Sequence, residues 1–200
     1  MNELSWNGTT GEVKDSSTYL NNGTANGGAT TVACKFSNCG SFSGTNNVTL
    51  NGATSYKPAS SLSISIWLKG NVQGSFARLM STNSTANVGF DITVFPTSGY
   101  PQYDIAPNLT QTALSTPINL TDNNWHNIIG TWDGSAMSLY IDGAFISNKP
   151  VKGTIVYVQD LVIGSQGDGG NKFVGLLDDV RIYNRALTSL EATSLYNYIP

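Results

Sequence analysis

The chain has 200 residues, 40% hydrophobic and 12% charged, with 10 Lys plus Arg against 13 Asp plus Glu, for a formal net charge of −3. That length and apolar share support one large core and exclude a disordered segment. The absence of any Lys/Arg cluster excludes a surface that neutralises nucleic-acid phosphates.

Asn, Thr, Ser and Gly take the place of charge, an uncharged polar surface common on extracellular proteins. No apolar run approaches the roughly 18 residues of a membrane span, so no membrane insertion is expected. The start, Met1 to Trp6, lacks the basic and apolar segments of a signal peptide. The expectation is therefore a single domain, residues 1–200, excised from a larger secreted or cell-surface protein with neighbouring domains.

The first sixty residues are rich in Gly, Asn and Thr and hold short strand candidates. They also hold the chain's 2 cysteines, Cys34 and Cys39. Closing so short a loop by a disulfide is worth about 2 kcal/mol on a chain-entropy estimate. The spacing favours a disulfide, and hence an oxidising compartment, over two free thiols. With a single His in the chain, a zinc site cannot be assembled.

Residues 62–69 place Leu62, Ile64, Ile66 and Leu68 on one face and Ser63, Ser65 and Trp67 on the other, which is strand periodicity. Residues 76–81 and 88–95 read as two further strands, and Pro96, Gly99 and Pro101 mark a turn. Residues 125–132, 137–141 and 144–146 are strands separated by Asp133-Gly134 and Asp142-Gly143, the strongest short-range hairpin signal. Residues 161–164 and 173–183 add two more around the loop Gly167-Asp168-Gly169-Gly170. The only helical signal is a capping box, Thr188 to Glu191, predicting one or two turns.

About a dozen short strands with Gly- and Asn-rich turns predict an all-β fold, a two-sheet antiparallel β-sandwich closed by a short C-terminal helix. No helix-bearing repeat supports a βαβ arrangement, and no repeat of propeller length is present.

Several stretches follow one another in a telling order: Gly11-Glu12-Val13-Lys14-Asp15, Asn21-Asn22-Gly23-Thr24, Ser43-Gly44-Thr45-Asn46-Asn47, Ser63-Ile64-Ser65-Ile66-Trp67, Trp125-His126, Trp132-Asp133-Gly134 and Leu139-Tyr140-Ile141-Asp142-Gly143. The most specific runs from Phe173 through Asp178-Asp179-Val180-Arg181 to Leu187. Together they resemble the laminin G-like branch of the concanavalin A-like lectin/glucanase superfamily. The family's first strand is here shortened to Leu4-Ser5-Trp6. The resemblance implies a jelly-roll sandwich that serves adhesive domains, sugar-binding modules and glucanases alike.

It also implies a structural calcium between the N-terminal loop and the late acidic strand. Asp15 matches the family's N-terminal Asp, Asn21 lies in the Asn-rich loop after it, and Asp178 matches the first acid of the late pair. The residues themselves leave two readings of Asp178. It shares the parity of Leu176, Val180 and Ile182, which read as inward, and a carboxylate facing a core needs satisfaction. Either an ion supplies it, through the hard oxygens that calcium takes, or backbone N–H groups of the Gly-rich N-terminal loop do.

Hydrolysis of a glycoside usually needs two carboxylates across the scissile bond. The chain has only Glu3, Glu12 and Glu191, no strand with two spaced acids is evident, and Asp178 and Asp179 point to opposite faces of a strand. His126 reads as structural. No catalysis is expected.

A sugar site needs aromatic platforms and hydrogen-bonding edges. The candidates are Tyr100 and Tyr103 in the Pro-flanked segment, Tyr157 with Gln159, and the loop at Asp168. Trp67 and Trp125 read as sandwich structure, and Trp132, just before the Asp-Gly turn, is ambiguous at a sheet edge. The expected function is a non-catalytic carbohydrate-binding or lectin-like module, its partner a glycan. The alternative is an adhesion or spacer domain that contacts a surface protein. Two or more exposed aromatics on an open sheet face would favour the glycan. Asn-X-Ser/Thr triplets begin at Asn7, Asn22, Asn47, Asn83, Asn108 and Asn119.

Overall fold

Alternation of β-branched and aromatic residues with small polar ones, cut by Gly, Asn and Asp, leaves the chain few options other than short strands. The computed structural model describes residues 2–50, 52, 54–70, 76–83 and 88–198. In them β1 (Gly23–Asn26), β4 (Asn47–Leu50), β13 (Leu161–Ile163), β6 (Ala77–Ser81), β7 (Phe90–Val94), β8 (Pro101–Ile105) and β9 (Thr112–Ser115) lie side by side, in that order, as sheet A. Sheet B has the order β12 (Ala144–Pro150), β11 (Ala136–Ile141), β10 (His126–Trp132), β5 (Leu62–Lys69), β14 (Val174–Tyr183), β3 (Asn38–Ser43) and β2 (Thr30–Ala33). Every pairing is antiparallel. The all-β sandwich is as expected, with a single helix, α1 (Ser189–Asn197), among the described residues.

The two sheets bury their facing sides against each other. Leu62, Ile64, Ile66 and Leu68 of β5 meet Leu79, Met80, Phe90, Ile92 and Ile105 of sheet A in one core. The hairpin Asp-Gly pairs do what their residue types predict. Asp142 and Gly143 both take positive φ between Ile141 and its partner Ala144, the geometry that a two-residue turn between twisted strands requires. Asp133 instead accepts from the N–H groups of Ser135 and Ala136 through Oδ1 (2.8 and 2.7 Å), bending the chain with its side chain.

Two details depart from the strand pattern expected. Ser63, Ser65 and Trp67, the supposed outer face of β5, are buried too. The cause is α1. Its Tyr196 ring stacks on Trp67 at 5.3 Å, and Ala192 packs with Ile129, Tyr140 and Leu187 in a second cluster on the outer face of sheet B. Thr188 and Glu191 form the full capping box at the helix start, so the predicted helix signal stands.

The second departure is in β14. Leu177, opposite Leu68, faces the core, whereas Asp178 pairs with Trp67 on the outer side. A bulge then inserts Asp179, which has φ +45°, before Arg181 regains register with Ser65. One extra residue reverses parity. Asp178 therefore does not share the face of Val180 and Ile182, as uninterrupted alternation implied.

Candidate functional site

Two places on the sandwich gather polar side chains. The first is a cleft of about 630 Å³ where the N-terminal segment crosses β14. Val13, Leu50, Leu161, Ile163 and Ile182 contribute apolar walls, and Asp15, Asn21 and Asp178 all reach it.

Each of these three is already engaged. Asp15 accepts from Ser17 N (2.8 Å), Ser17 Oγ (2.8 Å) and Asn21 N (2.8 Å). Burial works to raise its carboxyl, but these hydrogen bonds prevail and hold it below the usual range, so it stays anionic. Asn21 accepts from Ser55 Oγ at 2.8 Å. Asp178, 1% exposed, accepts from Phe36 N (3.1 Å) and Asp179 N (2.8 Å). Burial pushes its carboxyl up against those two bonds.

The backbone latch foreseen as the alternative thus exists. Its remote donor comes from the Cys34–Cys39 loop, and not from the Gly-rich N-terminal loop. That loop is closed by the disulfide. It carries the Phe36 ring edge-on to Trp67 at 5.8 Å and Lys35 Nζ 4.0 Å over the Trp67 ring.

As a donor set Asp15, Asn21 and Asp178 are all hard oxygens, the chemistry calcium takes, and an anionic Asp15 suits a cation. Among the described residues no group of three His, Cys, Asp or Glu side chains converges on one point. Any remaining ligands would have to be carbonyls and water.

The second place is the outer face of sheet A. Strand parity puts Arg78 on β6, Asp91 and Thr93 on β7, and Gln102 and Asp104 on β8 on this side, with Asp91 directly opposite Asp104. Asp91 Oδ1 accepts from Arg78 Nη1 and from Thr93 Oγ1 (2.9 Å), and its Oδ2 from Asn83 Nδ2 (3.1 Å). Asp104 Oδ2 accepts from Gln102 Nε2 at 2.7 Å and lies 4.0 Å from Arg78 Nη1. Burial, and then the charge of Asp91, push the Asp104 carboxyl up to about 7.

At one end of this face stand aromatics. Phe76, just before β6, and Phe95, just after β7, continue the parity of Arg78 and Thr93 and meet edge to face with centroids 5.1 Å apart. Tyr100 precedes β8, and its carbonyl accepts from Phe95 N at 2.9 Å. Phe76 is 48% and Tyr100 38% exposed.

The candidate ligand residues are thus scattered. Tyr100 joins the aromatic row. Asp168 is exposed and caps its own turn by accepting from Gly170 N at 2.9 Å. Its loop reaches Asn83, whose carbonyl accepts from Gly167 N at 3.0 Å, and Gln159 is half-buried beside Gly167.

The other two tyrosines are corrections. Tyr103 is wholly buried with its ring against Gly130 of the opposite sheet, because its parity on β8 is inward. Tyr157 is half-buried, edge-on to Phe90 at 6.1 Å, and its hydroxyl donates to the Pro58 carbonyl at 2.8 Å. Neither offers a platform. Trp132 is likewise fully buried, its indole N–H donating to the Val151 carbonyl at 3.0 Å.

The residues missed were Phe76, Phe95, Arg78, Asp91, Asn83 and Asp104. Their signal was present: Phe90-Asp91-Ile92-Thr93-Val94 and Pro101-Gln102-Tyr103-Asp104-Ile105 alternate cleanly, and the Pro96–Gly99 turn makes them neighbours. The two acids lie on different strands and become a pair only when β7 and β8 lie side by side. The two residues face each other across β7 and β8, and the charge of Asp91 helps to raise the Asp104 carboxyl.

The family known as Laminin_G_3, described as the Concanavalin A-like lectin/glucanases superfamily, matches residues 42–193. The chain belongs to that superfamily. A curated relative, the Adhesion G-protein coupled receptor V1 of Danio rerio, is 29% identical over 144 residues, which make up 67% of this chain and 2% of that receptor. Among solved structures, the binding domain of Paraclostridial Mosquitocidal Protein 1 superposes with a TM-score of 0.74 at 21% identity, covering 96% of this chain and 51% of that one. Domain 4 of AbnA, an extracellular arabinanase of Geobacillus stearothermophilus solved with arabinotriose, gives 0.72 at 18% identity, covering 92% of each chain. No helix among the described residues is long and apolar enough to cross a membrane.

Proposed function

We propose that this domain is a non-catalytic glycan-binding module of a secreted or cell-surface protein, and that its site is the outer face of sheet A. The observation that carries the reading is the row Phe76, Phe95 and Tyr100 beside Arg78 and Gln102 on that face. Sugar rings stack their apolar faces on aromatic rings and present hydroxyls to polar side chains. The opposite outer face is closed by α1 and the Cys34–Cys39 loop, whereas Phe76 and Tyr100 at the end of sheet A are exposed. The arabinotriose-bound domain of the same fold is consistent with this use.

The test is binding of the isolated domain to a broad glycan array, repeated with Phe76→Ala and Tyr100→Ala. Wild-type binding that falls about tenfold or more in both variants, at unchanged melting temperature, is the expected result. Absence of binding across all glycan classes would overturn the reading in favour of an adhesion spacer that contacts protein.

We further propose that Asp15, Asn21 and Asp178 hold a structural calcium in the cleft, which would tie the start of the chain to its last strand. It is supported by the hard-oxygen donors and by the anionic Asp15.

A further inference from the structure

The polar cluster beneath the aromatic row contains three buried atoms with no hydrogen-bond partner: Asp104 Oδ1, Asn83 Oδ1 and Arg78 Nε. Asp104 is 1% and Asn83 5% exposed. Leaving such atoms unpaired costs about 1–3 kcal/mol each, so three together in one cluster is not an ordinary packing outcome. Two are acceptors in want of a donor, and one is a donor in want of an acceptor.

We propose that these three atoms read a pair of neighbouring hydroxyls on a neutral sugar. This rests on the glycan-binding reading above and narrows it to a ligand class. A vicinal diol offers O–H groups to Asp104 Oδ1 and Asn83 Oδ1, and an oxygen lone pair to Arg78 Nε. One ligand edge thereby satisfies all three.

Charge selects against acidic sugars. The Arg78 guanidinium is already spent on Asp91, which it contacts directly, and on Thr93 Oγ1 at 2.7 Å. With Asp91 neutralising the guanidinium, the cluster has no free positive charge to draw a sialyl carboxylate or a sulfate. Asp104, with a carboxyl near neutrality, serves as acceptor or donor to a hydroxyl.

Access runs past Gln102. Its half-buried side chain is tied to Asp104 Oδ2 by one hydrogen bond, and the Arg78 side chain, 15% exposed, is the part of the cluster nearest solvent. For a ligand stacked on Phe76 and Phe95 to reach these atoms, the Gln102 side chain has to turn aside. Asn83 begins an Asn-Ser-Thr triplet, but its burial makes it a poor acceptor for glycosylation and leaves it for this role.

The test compares neutral glycans with sialylated and sulfated ones on wild-type protein. Monodeoxy analogues of the best neutral ligand and the variants Asn83→Ala and Asp104→Ala follow. Expected is binding of neutral glycans only, with about tenfold or greater loss on removing either hydroxyl or on either substitution. The deoxy analogues leave the protein untouched, so a poorly folded variant does not blunt the result. Binding confined to acidic glycans, or neutral binding indifferent to the deoxy series, overturns this inference and leaves the glycan reading standing. No glycan binding at all overturns the glycan reading, and this inference with it.

Discussion

Burial drives Asp104 toward its neutral form, and this has a measurable consequence. Its ordinary value is 3.8 and its folded value about 7, so the fold holds the proton more tightly than the unfolded chain does. The contribution is complete below the unfolded value and is lost as pH rises to about 7. Asp104→Asn keeps the neutral shape and removes the titration. Its melting temperature is therefore expected to lack the wild-type decline between pH 4 and 7, and to equal or exceed wild type at pH 8. Parallel melting curves for the two proteins would contradict this. His126 works at the rim of β10, where Nδ1 lies 2.8 Å from Asp142 Oδ2 and Nε2 lies 3.1 Å from Asp122 Oδ1. The bond to Asp142 leads in raising its value above 6.5. A raised folded value stabilises fully below pH 6.5 and fades as pH passes the folded value. His126→Gln is thus expected to lower the melting temperature at pH 6 and to do so less at pH 9, and an equal loss at both would rule out the charged form. The structural role read from the sequence is what this geometry shows.

At the scale of elements, hairpins and caps were legible because their causes are local. Asp142-Gly143 needs only positive φ, and the Thr188 box needs only spacing. Two features were not legible because they depend on partners distant in sequence. The bulge at Asp179 appears only when β14 pairs with β5 more than a hundred residues earlier, and the burial of Trp67 appears only when α1 folds back over it. The same logic hid the candidate site: Asp91 and Asp104 are ordinary surface acids until β7 and β8 pair. The disulfide loop gives the test at this scale. Besides closing a short loop, Cys34–Cys39 holds the Phe36 N–H on Asp178 and its ring on Trp67. Cys34→Ser with Cys39→Ser is expected to destabilise the domain by about 2 kcal/mol from loop entropy, plus the loss of that latch. Tryptophan fluorescence should change with it, since Phe36 and Lys35 both lean on Trp67. A double variant with wild-type stability and spectrum would show that the loop holds its place without the bond.

For the whole molecule, the cleft decides how the two ends of the chain are joined. Among the described residues, the N-terminal segment ahead of β1 forms a single isolated bridge, Val13 to Gly23, so its hold on the sandwich rests largely on side chains. Two arrangements account for Asp15, Asn21 and Asp178. If calcium joins them, its binding adds RT ln(1 + [L]/Kd), about 2.7 kcal/mol at a hundredfold excess over Kd. For a domain of this size that is roughly 5–10 °C of melting temperature. A chelator removes it, and Asp178→Ala, once calcium no longer matters, melts at the same temperature with and without chelator. If the hydrogen bonds to Phe36 and Asp179 are the whole of the latch, chelation has no effect while Asp178→Ala still destabilises, because two buried N–H groups lose their acceptor. The expected result is the first pattern. A wild-type melt unchanged after confirmed metal removal, alongside a destabilised Asp178→Ala, assigns Asp178 to the latch alone and leaves Asp15 as a turn-forming acid of the N-terminal loop.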